Sequence, residues 1–180
     1  MDFDPNDPTS FLQFLQPKPI PDLLHSVYEK GPFKTCCVCG QILTDGRLYE
    51  IQKVYRGKEA IFEMAICHQC GSDVSSEFSQ ESMESMKKFL LENFKPVQEA
   101  THCSFCGFPK GMVPNFTIVG MCKESSLIVP SIIMCDKCSE GLQGKLSRKT
   151  REAQGEFIRD NFPGVPEGLD VSPTPSFGIL

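Results

Sequence analysis

Four Cys-x-x-Cys pairs constrain this chain more than any other feature of its sequence. They take up eight of its ten cysteines: Cys36/Cys39, Cys67/Cys70, Cys103/Cys106 and Cys135/Cys138. Cysteines that only filled a hydrophobic core would not recur at this spacing four times. Such pairs form disulfides, redox sites or metal sites, so the surrounding sequence must decide among the three.

The surrounding sequence argues against disulfides. The first ten residues, MDFDPNDPTS, are acidic and polar and do not resemble a secretory signal. No apolar run approaches the roughly 18 residues that a membrane helix needs. We therefore expect a soluble, cytoplasmic protein, and in that reducing compartment disulfides are rare.

The grouping of the pairs into two quartets favours zinc. Thiolates are soft ligands, and four of them in tetrahedral geometry suit Zn²⁺. A thioredoxin-type dithiol would need one pair that opens a helix in a βαβ unit, and an iron–sulfur cluster is the remaining alternative. We predict two Zn²⁺ ions per chain, one held by Cys36, Cys39, Cys67 and Cys70 and the other by Cys103, Cys106, Cys135 and Cys138.

The chain also contains an internal repeat. A shift of 67 residues places the first cysteine pair of one quartet on that of the other, and a shift of 68 does the same for the second pairs. The 68-residue shift continues beyond the cysteines, placing Phe89 on Phe157 and the stretch ENF (92–94) on DNF (160–162). Unrelated metal sites would not share this apolar pattern, so the sequence predicts one unit used twice.

Each unit is expected to contain a cysteine knuckle, a β-hairpin and a helix, which makes the fold class α+β. The hairpin turns are predicted at RGKE and KESS, and Pro130 indicates a bulge or an edge position. Apolar residues at helical spacing follow the second cysteine pair of each unit and predict a helix there, continuous in the second unit but open to a break at SSEFSQESMES (75–85) in the first. The predicted organisation is a Pro-rich segment at 1–33, units at 34–96 and 101–162, and a flexible tail at 163–180.

This order of elements is the treble-clef arrangement, and HCSFCG…IMCDKCSEGL resembles the zinc-binding domain that precedes the ATPase module of the Clp unfoldase subunit. The resemblance covers roughly residues 101–147 and, through the repeat, 34–80. It implies that the same eight cysteines bind zinc and that the module docks adaptors and substrates as a dimer. The gap between cysteine pairs is longer here, and GLQGKLS (141–147) lacks the spacing of a nucleotide-binding loop.

A zinc ion with four protein thiolates has no position open to water or substrate, so we predict a non-enzymatic adaptor that binds another protein and no small-molecule substrate. The alternative is a nucleic-acid-binding zinc finger that uses the basic stretch KLSRKTR (145–151). The formal net charge of −5 makes this alternative less favourable.

Several residues near these motifs are expected to play no direct part. Cys37 and Cys122 fall outside the repeated pattern, and His68 and His102 lie beside sites that already have four thiolates. The apolar island SFLQFL (10–15) either packs on the zinc units or docks into a partner.

Overall fold

The computed structural model describes residues 16–95, 100–166 and 169. Its strands are β1 (Lys18–Pro19), β2 (Leu48–Arg56), β3 (Glu59–Cys67), β4 (Asn115–Lys123), β5 (Ser126–Leu127) and β6 (Ile132–Cys135). Its helices are α1 (His68–Ser76), α2 (Gln80–Asn93), α3 (Asp136–Gln143) and α4 (Arg148–Asn161), with short 3₁₀ turns at Asp22–Leu24 and Lys110–Met112. The predicted α+β class is confirmed. The island at 10–15 lies outside the described residues.

The hairpins turn where the sequence indicates. Gly57, in RGKE, and Glu124, in KESS, both have positive φ, as a tight turn between antiparallel strands requires. The second hairpin is less regular than the first, because its returning strand is split into β5 and β6. Pro130 lies in the gap between them, where it removes no hydrogen bond from the sheet.

The helices differ from the prediction in one respect. We expected a break within the first helical stretch but a continuous helix in the second, and both stretches are in fact broken. Ser79 caps α2 by accepting from Ser82 N–H at 3.2 Å, and Ser147 caps α4 by accepting from Thr150 N–H at 3.2 Å. A serine that satisfies the first free N–H groups starts a new helix, which apolar spacing alone does not reveal.

All strand pairs in the sheet are antiparallel, and β2 and β4 join the two hairpins through nine residue pairs. Gln52 lies opposite Val119, and these two positions are separated by the 67 residues that superimpose the first cysteine pairs. Four residue pairs lie on each side of this central pair, so the strand register is symmetric about it. The two hairpins therefore meet around an approximate two-fold axis.

The long helices pack across this axis onto the other half of the chain. Phe157 and Ile158 of α4 belong to the apolar cluster that contains Cys36, Cys67 and Cys70. Met86 and Phe89 of α2 belong to the cluster that contains Cys103 and Cys135. Each core therefore draws side chains from both segments, 34–96 and 101–162.

The starts of α2 and α4 meet in a buried network of hydroxyl groups. The Ser79 and Ser147 oxygens are 2.8 Å apart, Ser79 N–H donates to Thr150 Oγ1 at 3.0 Å, and Ser147 N–H donates to Ser82 Oγ at 2.8 Å. Ser82 and Thr150 have no solvent exposure. Because each helix supplies the acceptor for the other's N–H, the network ties the two halves together.

Replacing Thr150 by Val is expected to lower the free energy of unfolding by about 1–3 kcal/mol, because a side chain of similar shape would leave the Ser79 N–H buried without an acceptor. Denaturant titration of the metal-loaded protein would measure the change. The control is Thr44→Val at an exposed threonine. Equal unfolding free energies for the two variants would contradict a stabilising role for the network.

An N-terminal strap, residues 16–35, crosses one face of the sheet. It begins with β1 paired to β5, and Leu24 then packs on Gly120 of β4, where a Cβ atom would clash with it. Leu23 C=O accepts from Tyr55 Oη of β2 at 2.8 Å. The strap therefore covers an apolar sheet face that would otherwise meet water.

A buried ion pair fixes the middle of the strap. Lys53 Nζ and Glu63 Oε2 are 3.2 Å apart, and the two side chains are 1% and 8% exposed. Ser26 Oγ donates to Glu63 at 2.8 Å, and Lys53 donates to the His25 carbonyl. Burial alone would raise the pKa of Glu63, but hydrogen bonds from Val27 N–H and Ser26, together with Lys53, hold it below its usual range.

The lowered pKa of Glu63 predicts a loss of stability in acid. The contribution is present above the unfolded-state pKa of about 4.3 and is lost as the pH falls through the lower folded-state pKa. Glu63→Gln is expected to cost about 3–5 kcal/mol at neutral pH, because Lys53 stays buried without its counter-charge, and to flatten the acid dependence. Denaturant titrations between pH 3 and about 7 would measure both effects.

The control is Glu59→Gln on the same strand, at an exposed position. If the Glu63 variant kept the acid dependence of the unmodified protein, the ion pair would not be its source.

Candidate metal centres

The first quartet gathers cysteines from three separate elements. Cys36 and Cys39 lie in the knuckle before β2, Cys67 is the last residue of β3, and Cys70 lies in the first turn of α1. The four sulfurs all lie within 4.8 Å of one another. Gly40 closes the knuckle with φ +69° and donates its N–H to the Cys36 carbonyl at 2.9 Å. A left-handed residue is needed here, which explains a glycine directly after the second cysteine.

The second quartet has the same construction. Cys103 and Cys106 form a knuckle, Cys135 ends β6, and Cys138 lies in the first turn of α3, again with all four sulfurs within 4.8 Å. Gly107 has φ +74° and donates to the Cys103 carbonyl at 2.9 Å. The structure therefore brings together the two groups of four cysteines that the sequence singled out.

The sulfur separations fit a tetrahedral metal ion and not a disulfide. Cys39 and Cys67 sulfurs are 3.9 Å apart, and Cys106 and Cys135 sulfurs are 3.8 Å apart. A disulfide bond is about 2.05 Å long, and all ten cysteines are free thiols. Zinc–sulfur bonds of about 2.3 Å in a tetrahedron place neighbouring sulfurs about 3.8 Å apart.

Backbone amides stabilise negative charge on one sulfur of each quartet. Cys67 N–H donates to Cys36 Sγ and Cys135 N–H donates to Cys103 Sγ, both at 3.4 Å. Burial would raise the pKa of Cys36 and Cys103, but backbone N–H groups outweigh burial and lower each pKa to about 7. Sequence spacing does not predict these donors, because they depend on how the knuckle lies against the strand.

The other thiols show why the quartets need a cation. Burial, followed by the neighbouring thiols, raises the pKa of Cys70 and Cys138 well above the ordinary value. Four thiols within 4.8 Å cannot all ionise unless a positive charge offsets their repulsion. A divalent ion would supply that charge, and the N-terminus of the following helix adds to it.

The cysteines and histidines outside the quartets have other surroundings. Burial raises the pKa of Cys37 and Cys122 to about 12, so both are protonated thiols at neutral pH. Among the described residues, no histidine belongs to either group. His102 Nδ1 instead lies 2.9 Å from Thr101 Oγ1, and His68 is exposed.

The described residues include no helix that is both long enough and apolar enough to cross a membrane. Comparisons with protein-family models, with curated proteins and with solved structures found no match to this chain.

Proposed function

We propose that this chain is a protein-binding adaptor held together by two structural zinc ions. The observation that carries the proposal is the pair of four-cysteine groups, each with its sulfurs within 4.8 Å of one another. Cys36, Cys39, Cys67 and Cys70 would hold one ion, and Cys103, Cys106, Cys135 and Cys138 the other. With four thiolates bound, zinc has no open position for water or substrate, which favours a structural role over catalysis.

Each ion would tie together three parts of the chain that are distant in sequence. Between the two cysteine pairs lie 27 residues in the first quartet and 28 in the second, and these residues contain the hairpin. Structural zinc contributes on the order of 10 kcal/mol to folding in small domains of this kind. The ion would then fix the start of the helix against the end of the hairpin.

We further propose that the two halves arose by duplication of one treble-clef unit. The support is the recurrence of knuckle, hairpin and two helices in the same order, and the symmetric register about Gln52 and Val119. This arrangement is a single-chain counterpart of the dimer that the resemblance to the Clp zinc-binding domain implies. An adaptor function follows from that resemblance as part of the proposal.

The alternative function, nucleic-acid binding, has a specific surface to support it. Lys145, Arg148, Lys149 and Arg151 are all exposed at the start of α4. Arg148 is already paired with Glu152 at 2.7 Å, which reduces the positive charge available to phosphate. We therefore place this function second.

The purified protein is expected to contain two zinc ions per chain by elemental analysis. Cys106→Ser should lose one ion and lower the midpoint of thermal unfolding, because the metal's contribution to the second site is removed. The matched control is Cys37→Ser, which changes a half-buried cysteine outside both quartets and should keep two ions. Iron in the sample, or two zinc ions in Cys106→Ser, would contradict the assignment.

The two candidate functions differ in their expected affinity for nucleic acid. Labelled DNA and RNA, single- and double-stranded, should bind more weakly than about 10⁻⁶ M at physiological salt, since four basic residues neutralise few phosphates. Changing Arg148, Lys149 and Arg151 together to Glu should then have no measurable effect. Sub-micromolar binding that this triple change abolishes would favour the alternative over the adaptor.

A further inference from the structure

A groove runs along β3 between the strap and the chain that follows α4. Its volume is about 590 Å³, within the range of sites that hold ligands. Phe33 and Tyr28 lie on the strap side, Phe62 belongs to β3, and Phe162 and Val165 lie on the opposite side. Tyr28 is 90% exposed although its ring borders an apolar surface. None of this surface is used by the two metal centres.

The groove exposes the edge of the sheet. β3 is the last strand in the sheet order, and no strand of the described residues pairs with its outer side. Cys37 N–H donates to the Ala65 carbonyl at 2.8 Å, so the backbone groups of Ala65 point outward. Alternate residues of a strand direct their backbone groups to the same side. Glu63 therefore also presents its N–H and C=O to the groove, which has Glu63 and Ala65 in its lining.

The other half of the chain shows what lies against the corresponding knuckle. There, Ser104 takes the place of Cys37 and donates to the Ile133 carbonyl of β6 at 2.7 Å. The extended chain after α2 then adds to it, because Lys95 N–H donates to the Ser104 carbonyl at 2.7 Å. At the 68-residue shift the counterpart of Lys95 is Pro163, which has no N–H to donate.

After Pro163 the chain turns, and Val165 N–H donates to Phe162 C=O at 3.1 Å. Residues 164–166 thereby form a wall of the groove. The extended backbone that lies against the knuckle in one half is thus missing from this position in the other, among the described residues.

One acidic side chain gives the groove a charge preference. Glu29 Oε2 is buried without a hydrogen bond and lies 3.5 Å from Nζ of the exposed Lys34, while Glu29 Oε1 accepts from Lys34 N–H at 3.4 Å. Glu63, the other carboxylate in the lining, is already bonded to Lys53 and Ser26. A basic group in the groove would meet Glu29.

We propose that this groove binds an extended segment of a partner protein, which adds as a strand to the outer edge of β3. Alternate side chains of the segment would be apolar, because every second residue of a strand faces the same wall, and one Lys or Arg would pair with Glu29. This proposal rests on the adaptor function and gives it a site. The edge lies between two walls, so it admits a single strand but not the sheet edge of a second folded copy.

The test uses the full-length, zinc-loaded protein and a phage-displayed library of random 12-residue peptides. Enriched peptides should carry alternating apolar residues and a basic residue. Synthetic versions should bind about tenfold more weakly to Tyr28→Asp and to Glu29→Gln, by fluorescence polarisation. Leu91→Asp is the matched control, because Leu91 is 78% exposed, undergoes a comparable change and lies on α2 outside the groove. Its affinity should equal that of the unmodified protein.

Three outcomes would overturn the proposal. Enriched peptides that bind Tyr28→Asp unchanged would place the binding surface elsewhere and leave the adaptor function standing. A selection that enriches no peptide would rule out the groove as a peptide-binding site. Cross-linking to partners in cell extract would then still test the adaptor function separately. Binding that appears only after residues 170–180 are deleted would identify the chain's own tail as the occupant.

Discussion

The antiparallel pairing of β2 with β4 determines where the rest of this structure lies. Cys67 lies opposite Tyr49 at one end of β2, whereas Cys135 lies opposite Phe116, which pairs with Tyr55 near the other end. Six residues of strand correspond to about 20 Å, which exceeds the Debye length of about 10 Å at moderate salt. The two cysteine quartets therefore lie far enough apart that metal ions bound there would not repel each other strongly, and each ion would stabilise its own end of a shared sheet. The long helices must then cross the centre, which produces the exchange of Phe89 and Phe157 between halves.

The parts of the fold that the sequence predicts are those with a short-range chemical signature. The two cysteine groups follow from spacing, because a tetrahedral site needs four ligands and two close pairs supply them, and the hairpins follow from turn residues such as Gly57. The helix break before Ser147 was missed since apolar spacing continues across it and only the cap marks it. The apolar stripe containing Phe157 predicts a buried face correctly but carries no information on which half of the chain covers that face.

Long-range polar contacts were beyond prediction for a different physical reason. A lysine in a strand is expected to face solvent, yet Lys53 is 1% exposed. The strap buries it, because the His25 carbonyl accepts from Lys53 and Ser26 donates to its partner Glu63. A buried ion pair adds little net stability compared with apolar packing, but it penalises any arrangement that leaves one charge alone. The pair therefore selects the path of the strap over other ways of covering the same sheet face. Similarly, Ser79 and Thr150 reveal their role only once both helix starts meet.

The two halves differ at the groove beside β3, although their hairpins and cysteine groups correspond. Where the halves match, as in the quartets and the β2–β4 pairing, each contact has an equivalent in the other half, so both halves are stabilised in the same way. The chain after α2 must return to the second knuckle within a few residues, so it stays extended and Lys95 bonds to Ser104. After α4, Pro163 has no N–H to donate and Val165 N–H donates to the Phe162 carbonyl, so the chain turns instead of continuing as extended backbone. The approximate symmetry of the two halves is thus lost after α4, where the outer edge of β3 lies open beside the turn that follows Pro163.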